Sequence, residues 1–397
     1  MQLSPAAACD FDPFSTEFLS DPYPFHEALR EAGPVVRLDR YGIWATARHE
    51  QVVAVLSDYE SYCSSAGVGL SDFRKEKPWR PPSIILEADP PLHARTHRVL
   101  MRALSPAALR DLRPVFELEA ERLVDTLLQR REVDGVADIG RAYPLKVFPD
   151  AIGVRSDGRE NLLPYGNMVF NAFGPPNELF RDAMSRAQEV IGWITAACER
   201  DALAANGLGR SVYAAHDAGE LAYDEARLLI RSLLSAGLDT TVHGISNALF
   251  CFASFPDQWD VLRADPSIAR TAFDEAMRLE SPVQTFFRTT TRDVDLGGTL
   301  IGAGEKVLTF LAAANRDPRR WSDPERFDVH RRTGGHVGFG HGIHRCVGEM
   351  LSKLEGEILL AALARRVRAI ELNGEPAPHL NNTLRGFESL PLVLEAA

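Results

Sequence analysis

The sequence predicts a mainly α-helical protein with small β-sheets, an α+β architecture built as a single domain over residues 1–397. Three observations carry that expectation. Apolar residues recur at three- and four-residue steps through the middle and the end of the chain, the pattern of helices with one buried face. Period-two alternation is confined to short pieces. No composition break, low-complexity linker or internal repeat divides the 397 residues, of which 45% are hydrophobic.

Val35–Asp39 (VVRLD) and Gly42–Arg48 (GIWATAR) read as two strands joined around Arg40-Tyr41. Pro81-Pro82 and Pro175-Pro176 read as local turns. Ser105-Pro106 has the form of an N-cap followed by proline at the first helical position, opening a helix to about Gln129. The longest helical signal runs from Asp224 to Phe255 and stops before Pro256, with Leu228, Leu229, Leu233, Ala236, Thr240 and Gly244 on one face. An unbroken helix of that length would span roughly 48 Å and cross the core. A further helix covers Ile268 to Leu279 and ends at Ser281-Pro282. Short strand-like pieces, a Pro/Arg/Asp-rich meander from Asn315 to Arg332, and a last helix from Val347 to Val367 complete the chain.

Lys and Arg number 44 and Asp and Glu 55, a formal charge of -11. An acidic surface repels phosphate backbones, so nucleic-acid binding is not expected; Arg95, His97, Arg98 and Arg102 form the nearest thing to a basic patch. No window approaches the roughly 18 consecutive apolar residues of a membrane span. The start, MQLSPAAACDFDPF, lacks a basic and then apolar leader. The five cysteines (Cys9, Cys63, Cys198, Cys251, Cys346) are scattered and odd in number, which suits a reducing cytoplasm.

One of them differs from the rest. Cys346 follows the glycine-dense loop of Gly338, Gly340 and Gly342 and precedes Gly348 and a helix. Such glycines let a flat cofactor approach the backbone closely. A thiolate there would face peptide N–H groups and the positive end of the helix. The competing readings are a buried structural cysteine and a zinc site of His336, His341, His344 and Cys346; the latter leaves Phe339 and the glycines without a role.

The segment from Phe339 to Gly348, FGHGIHRCVG, resembles the haem-binding signature of the cytochrome P450 family, Phe-x-x-Gly-x-[His/Arg]-x-Cys-x-Gly, at every fixed position. Two further stretches match in order and spacing. Glu275-Ala276-Met277-Arg278 is similar to the family's Glu-x-x-Arg pair, whose third partner, an Arg of the meander, is either Arg326 or Arg331. Ala236-Gly237-Leu238-Asp239-Thr240-Thr241 resembles the oxygen-binding stretch of the long helix. The resemblance covers essentially the whole chain. It implies haem b held between that helix and the cysteine loop, Cys346 on iron, and dioxygen as co-substrate. A thiolate ligand pushes electron density to iron and promotes O–O cleavage. By the same resemblance Asp239 and Thr240 relay protons, and Gly237 and Phe339 lie beside the haem. His93, Arg288 and His344 meet its propionates, and His97 stands where the family usually has Arg.

A finer resemblance is to a bacterial subfamily that oxidises para-substituted benzoic acids, for example by O-demethylating 4-methoxybenzoate. It rests on residues 67–83, 169–178, 231–241, 281–292 and 381–391. It implies that Arg80, Ser83 and Ser232 bind the carboxylate with Arg231 in support, and that Leu86, Phe170, Phe173, Ser235 and Phe286 wall the ring. A fixed guanidinium and hydroxyls suit an aryl acid, and anchoring one end turns binding energy into orientation. No flavin or nicotinamide domain fits in the chain, so electrons are expected from a small acidic ferredoxin and its reductase, docked on Arg98, Arg102 and Arg345. A monomer is expected. Oxidation of another small aromatic or hydrophobic acid, and a non-catalytic haem sensor or electron carrier, stand as alternatives.

Overall fold

The computed structural model describes residues 7–397. Ser105 caps the helix Pro106–Leu127 by accepting the Ala108 N–H, and the helix buries Leu109, Phe116, Ala120, Val124 and Leu127 on one face. That face packs on the last helix, Glu349–Arg366, which is buried around most of its circumference. Helices Asp239–Ser254 and Ala269–Leu279 also pack on this last helix, so it forms the centre of the helical core. The periodicity placed three of these four helices to within a few residues; the start of Asp239–Ser254 it missed.

The predicted helix 224–255 is interrupted. Tyr223–Ala236 and Asp239–Ser254 are separate helices with Gly237-Leu238 between them. No proline causes the break. The Thr240 hydroxyl donates to the Ala236 carbonyl at 2.8 Å, and the Thr241 hydroxyl to the Gly237 carbonyl at 3.1 Å. Side-chain hydroxyls thus take acceptors that backbone N–H groups occupy in a regular helix, and the ladder opens there.

The two predicted N-terminal strands are Val36–Leu38 and Ile43–Thr46, paired antiparallel with Val36 opposite Ala45. They belong to a six-stranded sheet in the order 7–9, 36–38, 43–46, 306–310, 285–290, 62–63. Its strand Thr285–Thr290 alternates across the pleat. Phe286 and Arg288 therefore reach the cavity described below, while Phe287 packs into a second apolar cluster with Phe18, Leu38 and Phe310.

The Glu275/Arg278 pair ties the meander to the core. Both side chains are fully buried and bonded twice, at 2.7 and 2.8 Å. Arg331 is the third partner, 2.9 Å from Glu275 Oε1. Arg326 contributes only its carbonyl, to Arg278 Nη2. Arg278 also donates to the Asn315 and Pro324 carbonyls, so one guanidinium holds three separate points of the loop.

Candidate active site

Between the broken helix, the sheet edge and the cysteine loop lies a cavity with about 1550 Å³ of atom-free space, its mouth included. The cysteine loop is shaped by its glycines. Gly340 and Gly342 sit at φ 73° and 68°, and a Cβ on Gly342 would come within 2.3 Å of the Leu56 carbonyl oxygen; only glycine fits both demands. The loop presents Cys346 to the cavity, where its sulfur is open although protein surrounds it. The Gly348 and Glu349 N–H groups donate to the sulfur, as the sequence suggested, but burial outweighs them and pushes the thiol up to about 11. A cation on the sulfur would displace that proton, since metal coordination requires the thiolate.

A basic rim borders the same cavity. Arg288 is 3% exposed, donates to the Phe287 carbonyl, and has no acidic partner among the described residues; burial draws its pKa down to about 10. His344 is within 4.4 Å of His93, centroid to centroid, and neither of its ring nitrogens has a hydrogen-bond partner; Asp89 stands 3.8 Å away. Burial, followed by the neighbouring imidazoles, lowers His93 to about 4. His97 stacks one turn on at 5.3 Å but does not line the cavity, and burial lowers its pKa too, so it is a neutral donor at pH 7 where an Arg would be charged. A rim of buried donors with Asp89 as its one nearby acid fits a pair of carboxylates such as haem propionates. His336 bonds Asp274 instead of turning toward Cys346, and among the described residues no three His, Cys, Asp or Glu side chains converge as a metal site.

Of the proposed acid–alcohol pair, Thr240 lines the cavity and Asp239 does not. The Asp239 carboxylate abuts Gly166, where a Cβ would lie 2.0 Å from Oδ2. It is 6% exposed with Oδ1 unpartnered, and burial raises its pKa well above the ordinary range. Neighbours on a helix point about 100° apart, and here Thr240 and Thr241 face the cavity while Asp239 turns toward Gly166. Gly237 and Phe339 line the wall. So does Glu355, a fully buried acid absent from the sequence reading, with both oxygens unpartnered and its pKa raised by burial.

Arg80, Ser83, Leu86, Phe170, Phe173, Ser232, Ser235 and Phe286 all reach the same cavity. The Ser83 and Ser232 hydroxyls meet at 2.9 Å. Arg80 Nη1 bonds Glu87 Oε2 and the Pro81 carbonyl, both at 3.1 Å, while its Nε is buried and unpartnered. Glu87 was not foreseen. It also accepts the Ser83 N–H at 2.6 Å, and thereby fixes guanidinium and hydroxyl together. Its signal was an acid seven residues from Arg80 inside the apolar run ILEA. Arg231 stays outside the lining; it donates to the Pro81 carbonyl at 2.6 Å, buttressing the Arg80 loop, and burial lowers its pKa. Phe170 and Phe173 meet edge to face at 5.8 Å, and Phe173 and Phe286 at 5.9 Å.

The model of the family described as Cytochrome P450 matches residues 194–391. The chain is 59% identical over 387 residues to "Cytochrome p450 CYP199A2" of Rhodopseudomonas palustris, covering 97% of this chain and 94% of that protein. This chain belongs to the cytochrome P450 family. It is also 31% identical to the cytochrome P450 monooxygenase PikC of Streptomyces venezuelae, over 96% and 93% of the two chains. Among solved structures, the cytochrome P450 CYP109Q5 of Chondromyces apiculatus superposes with a TM-score of 0.82 at 30% identity over 99% of both chains. The epothilone D-bound P450epoK superposes with 0.86 at 26% identity, over 98% and 100%. The protein is therefore a cytochrome P450 monooxygenase that uses haem b and dioxygen, and its cavity suits that group. Among the described residues no helix is long and apolar enough to cross a membrane.

Proposed function

We propose that this P450 oxidises para-substituted benzoic acids such as 4-methoxybenzoate, hydroxylating or O-demethylating them. The observation that carries the reading is the unused Nε edge of Arg80, buried beside the Ser83 and Ser232 hydroxyls in the cavity that also holds Cys346. A guanidinium edge matches a carboxylate's paired oxygens, and the Ser83 and Ser232 hydroxyls, here bonded to each other and, from Ser232, to the Leu228 carbonyl, can rotate to donate to it. With Arg80 and Arg231 positive and Glu87 negative, the site carries one net positive charge and suits a monoanion. The Leu86, Phe170, Phe173 and Phe286 side chains themselves offer no partner to a charge on the ring.

In this reading Cys346 holds the iron, while Arg288, His93 and His344 hold the propionates, with His97 behind them. The haem supplies oxygen insertion into a C–H bond, drawing on dioxygen and two electrons. Anchoring the acid aims the para substituent, and the Phe170, Phe173 and Phe286 rings exclude water around it. Thr240 offers a hydroxyl to the cavity, and Asp239, one position away with its carboxyl pKa raised by burial, is the reserve of protons behind it. Electrons come from an acidic ferredoxin and its reductase. In the proposed docking trio Arg102 is paired with Glu220 and Arg345 with Glu349, so Arg98 carries the least compensated charge.

Titrating the haem protein with substituted benzoic acids tests the reading. A spin-state shift with 4-methoxybenzoate, and formaldehyde release with a competent ferredoxin, are expected; no shift with any benzoic acid would overturn it. Cys346→His is expected to abolish the thiolate-type carbon monoxide spectrum, and a retained spectrum would remove the sulfur from iron. Thr240→Ala is expected to keep substrate affinity within about twofold while diverting most reducing equivalents to peroxide; fully coupled turnover would end the relay role.

A further inference from the structure

The segment Asn381–Leu384 has no part in the function so far, yet it is among the most buried loop segments, with exposures of 0%, 2%, 2% and 3%. Its polar groups close on the C-terminal end of the helix Leu162–Asn171. The Asn382 N–H donates to Asn171 Oδ1 at 3.0 Å, and Asn382 Nδ2 to the Asn171 carbonyl at 2.9 Å. Asn381 Nδ2 donates to Asn167 Oδ1 at 3.0 Å, the same oxygen that Asn171 Nδ2 reaches at 2.9 Å. The Thr383 hydroxyl donates to the Phe170 carbonyl at 2.9 Å. Asn177 pairs its amide with that of Asn382 at 2.7 and 3.1 Å. Phe170 and Phe173, which meet the cavity, stand on the stretch that these amides hold.

The other side of the segment is tied to the adjoining stretch of wall. The Gln284 N–H donates to the Thr383 carbonyl at 2.9 Å, the Arg385 N–H to the Pro282 carbonyl at 2.8 Å, and Val283 bridges Leu384. Val283 and Phe286 line the cavity from there. Four residues therefore join both parts of the aromatic wall, the Phe170/Phe173 stretch and the Phe286 strand. The joint has no slack: a Cβ on Gly174 would lie 2.6 Å from Asn382 Cβ and Cγ, and one on Gly69 would lie 2.7 Å from Phe173 Cα. Leu70 N–H closes the remaining side on the Phe173 carbonyl at 2.8 Å. Buried amides that satisfy one another hold a single geometry, because any slip leaves several donors unmade at once.

We propose that Asn171, Asn382 and Thr383 are positioning residues that fix the place of the joined Phe170, Phe173 and Phe286 rings, and through it the preference for flat, para-substituted aromatic acids over their meta isomers. The proposal rests on the aromatic-acid reading above. A wall held in one place leaves room for a substituent on the long axis of the ring and rejects one that broadens it. Loosening the amides should release the meta isomer from that exclusion while weakening the para isomer.

The test is the ratio of dissociation constants for 4- and 3-methoxybenzoate, read from the haem spectrum of the holoenzyme. Asn382→Ala is expected to lower the para preference about tenfold, and Thr383→Val, which removes one bond at nearly constant volume, about threefold. Gly174→Ala, which drives the segment outward, should move the ratio in the same direction. A merely structural role would weaken both isomers alike, or lose the carbon monoxide spectrum, and leave the ratio unmoved. Thr383→Val and Gly174→Ala decide the matter if Asn382→Ala does not fold. Wild-type protein with a strong para preference that these variants retain would overturn this proposal alone. Wild-type protein that binds no benzoate would overturn the aromatic-acid reading and this proposal with it.

Discussion

Arg80→Ala is expected to weaken 4-methoxybenzoate binding by about a hundredfold and to leave the neutral 4-methoxybenzyl alcohol within a few-fold of wild type. Two losses combine in that number. The substrate loses a buried, charge-assisted bidentate partner, and Glu87, whose side chain is 2% exposed, is left as an uncompensated buried anion facing the incoming carboxylate. The double variant Arg80→Ala/Glu87→Gln removes the second term and should recover about tenfold of the affinity. Spectral titration of the four proteins with the acid and the alcohol separates the terms as a double-mutant cycle. Equal weakening of acid and alcohol by Arg80→Ala would mean that the carboxylate lies elsewhere.

The second large effect lies outside the cavity. Arg278→Ala is expected to cost about 4 kcal/mol of stability, within the range for removing one member of a fully buried pair. Besides breaking two bonds to Glu275, it leaves the Asn315 and Pro324 carbonyls without their donor and the Arg326 carbonyl with Arg331 alone, so the meander loses three points of attachment. Arg331→Ala breaks one bond to Glu275 and three to the Ser322, Asp323 and Arg326 carbonyls at the more exposed rim of the cluster, where its side chain is 11% exposed, and should cost about half as much. Denaturant unfolding of the two variants checks the order. A loss below about 1 kcal/mol for Arg278→Ala would show that the meander is held by other contacts.

The cysteine loop was legible because its chemistry is local. Glycines, sulfur and following helix all lie within ten residues, and each spacing has a mechanical reason. The helix break was not legible, since it needs no proline and arises from hydroxyls of Thr240 and Thr241 that an ordinary helix also tolerates. The helices Tyr23–Ala32 and His49–Ser57 lay in a stretch read as turns and short strands. Pro22 and Pro24 open the first of these helices, where the missing N–H has no partner to lose. The choice between Arg326 and Arg331 depended on the path of a loop that no periodicity governs. The carboxylate-site residues followed the resemblance into one cavity, with Arg231 behind it, whereas Glu87, Glu355 and the asparagine cluster escaped notice. Each of these is a polar residue whose partner, or lack of one, is decided by chain segments far away in sequence; Asn171 and Asn382 meet across two hundred positions.

The interruption at Gly237-Leu238 also bears on how such a pocket can change over time. In an unbroken rod, Ser232 and Thr240 would be locked about 12 Å apart along the axis and at one fixed rotation. Two rods with a joint behave as a caliper. The jaw that carries Ser232 and the jaw that carries Thr240 are seated largely on different neighbours, so mutations can reset the reach between them without rebuilding either one. A lineage could thereby lengthen or shorten its preferred guest while keeping the same handle.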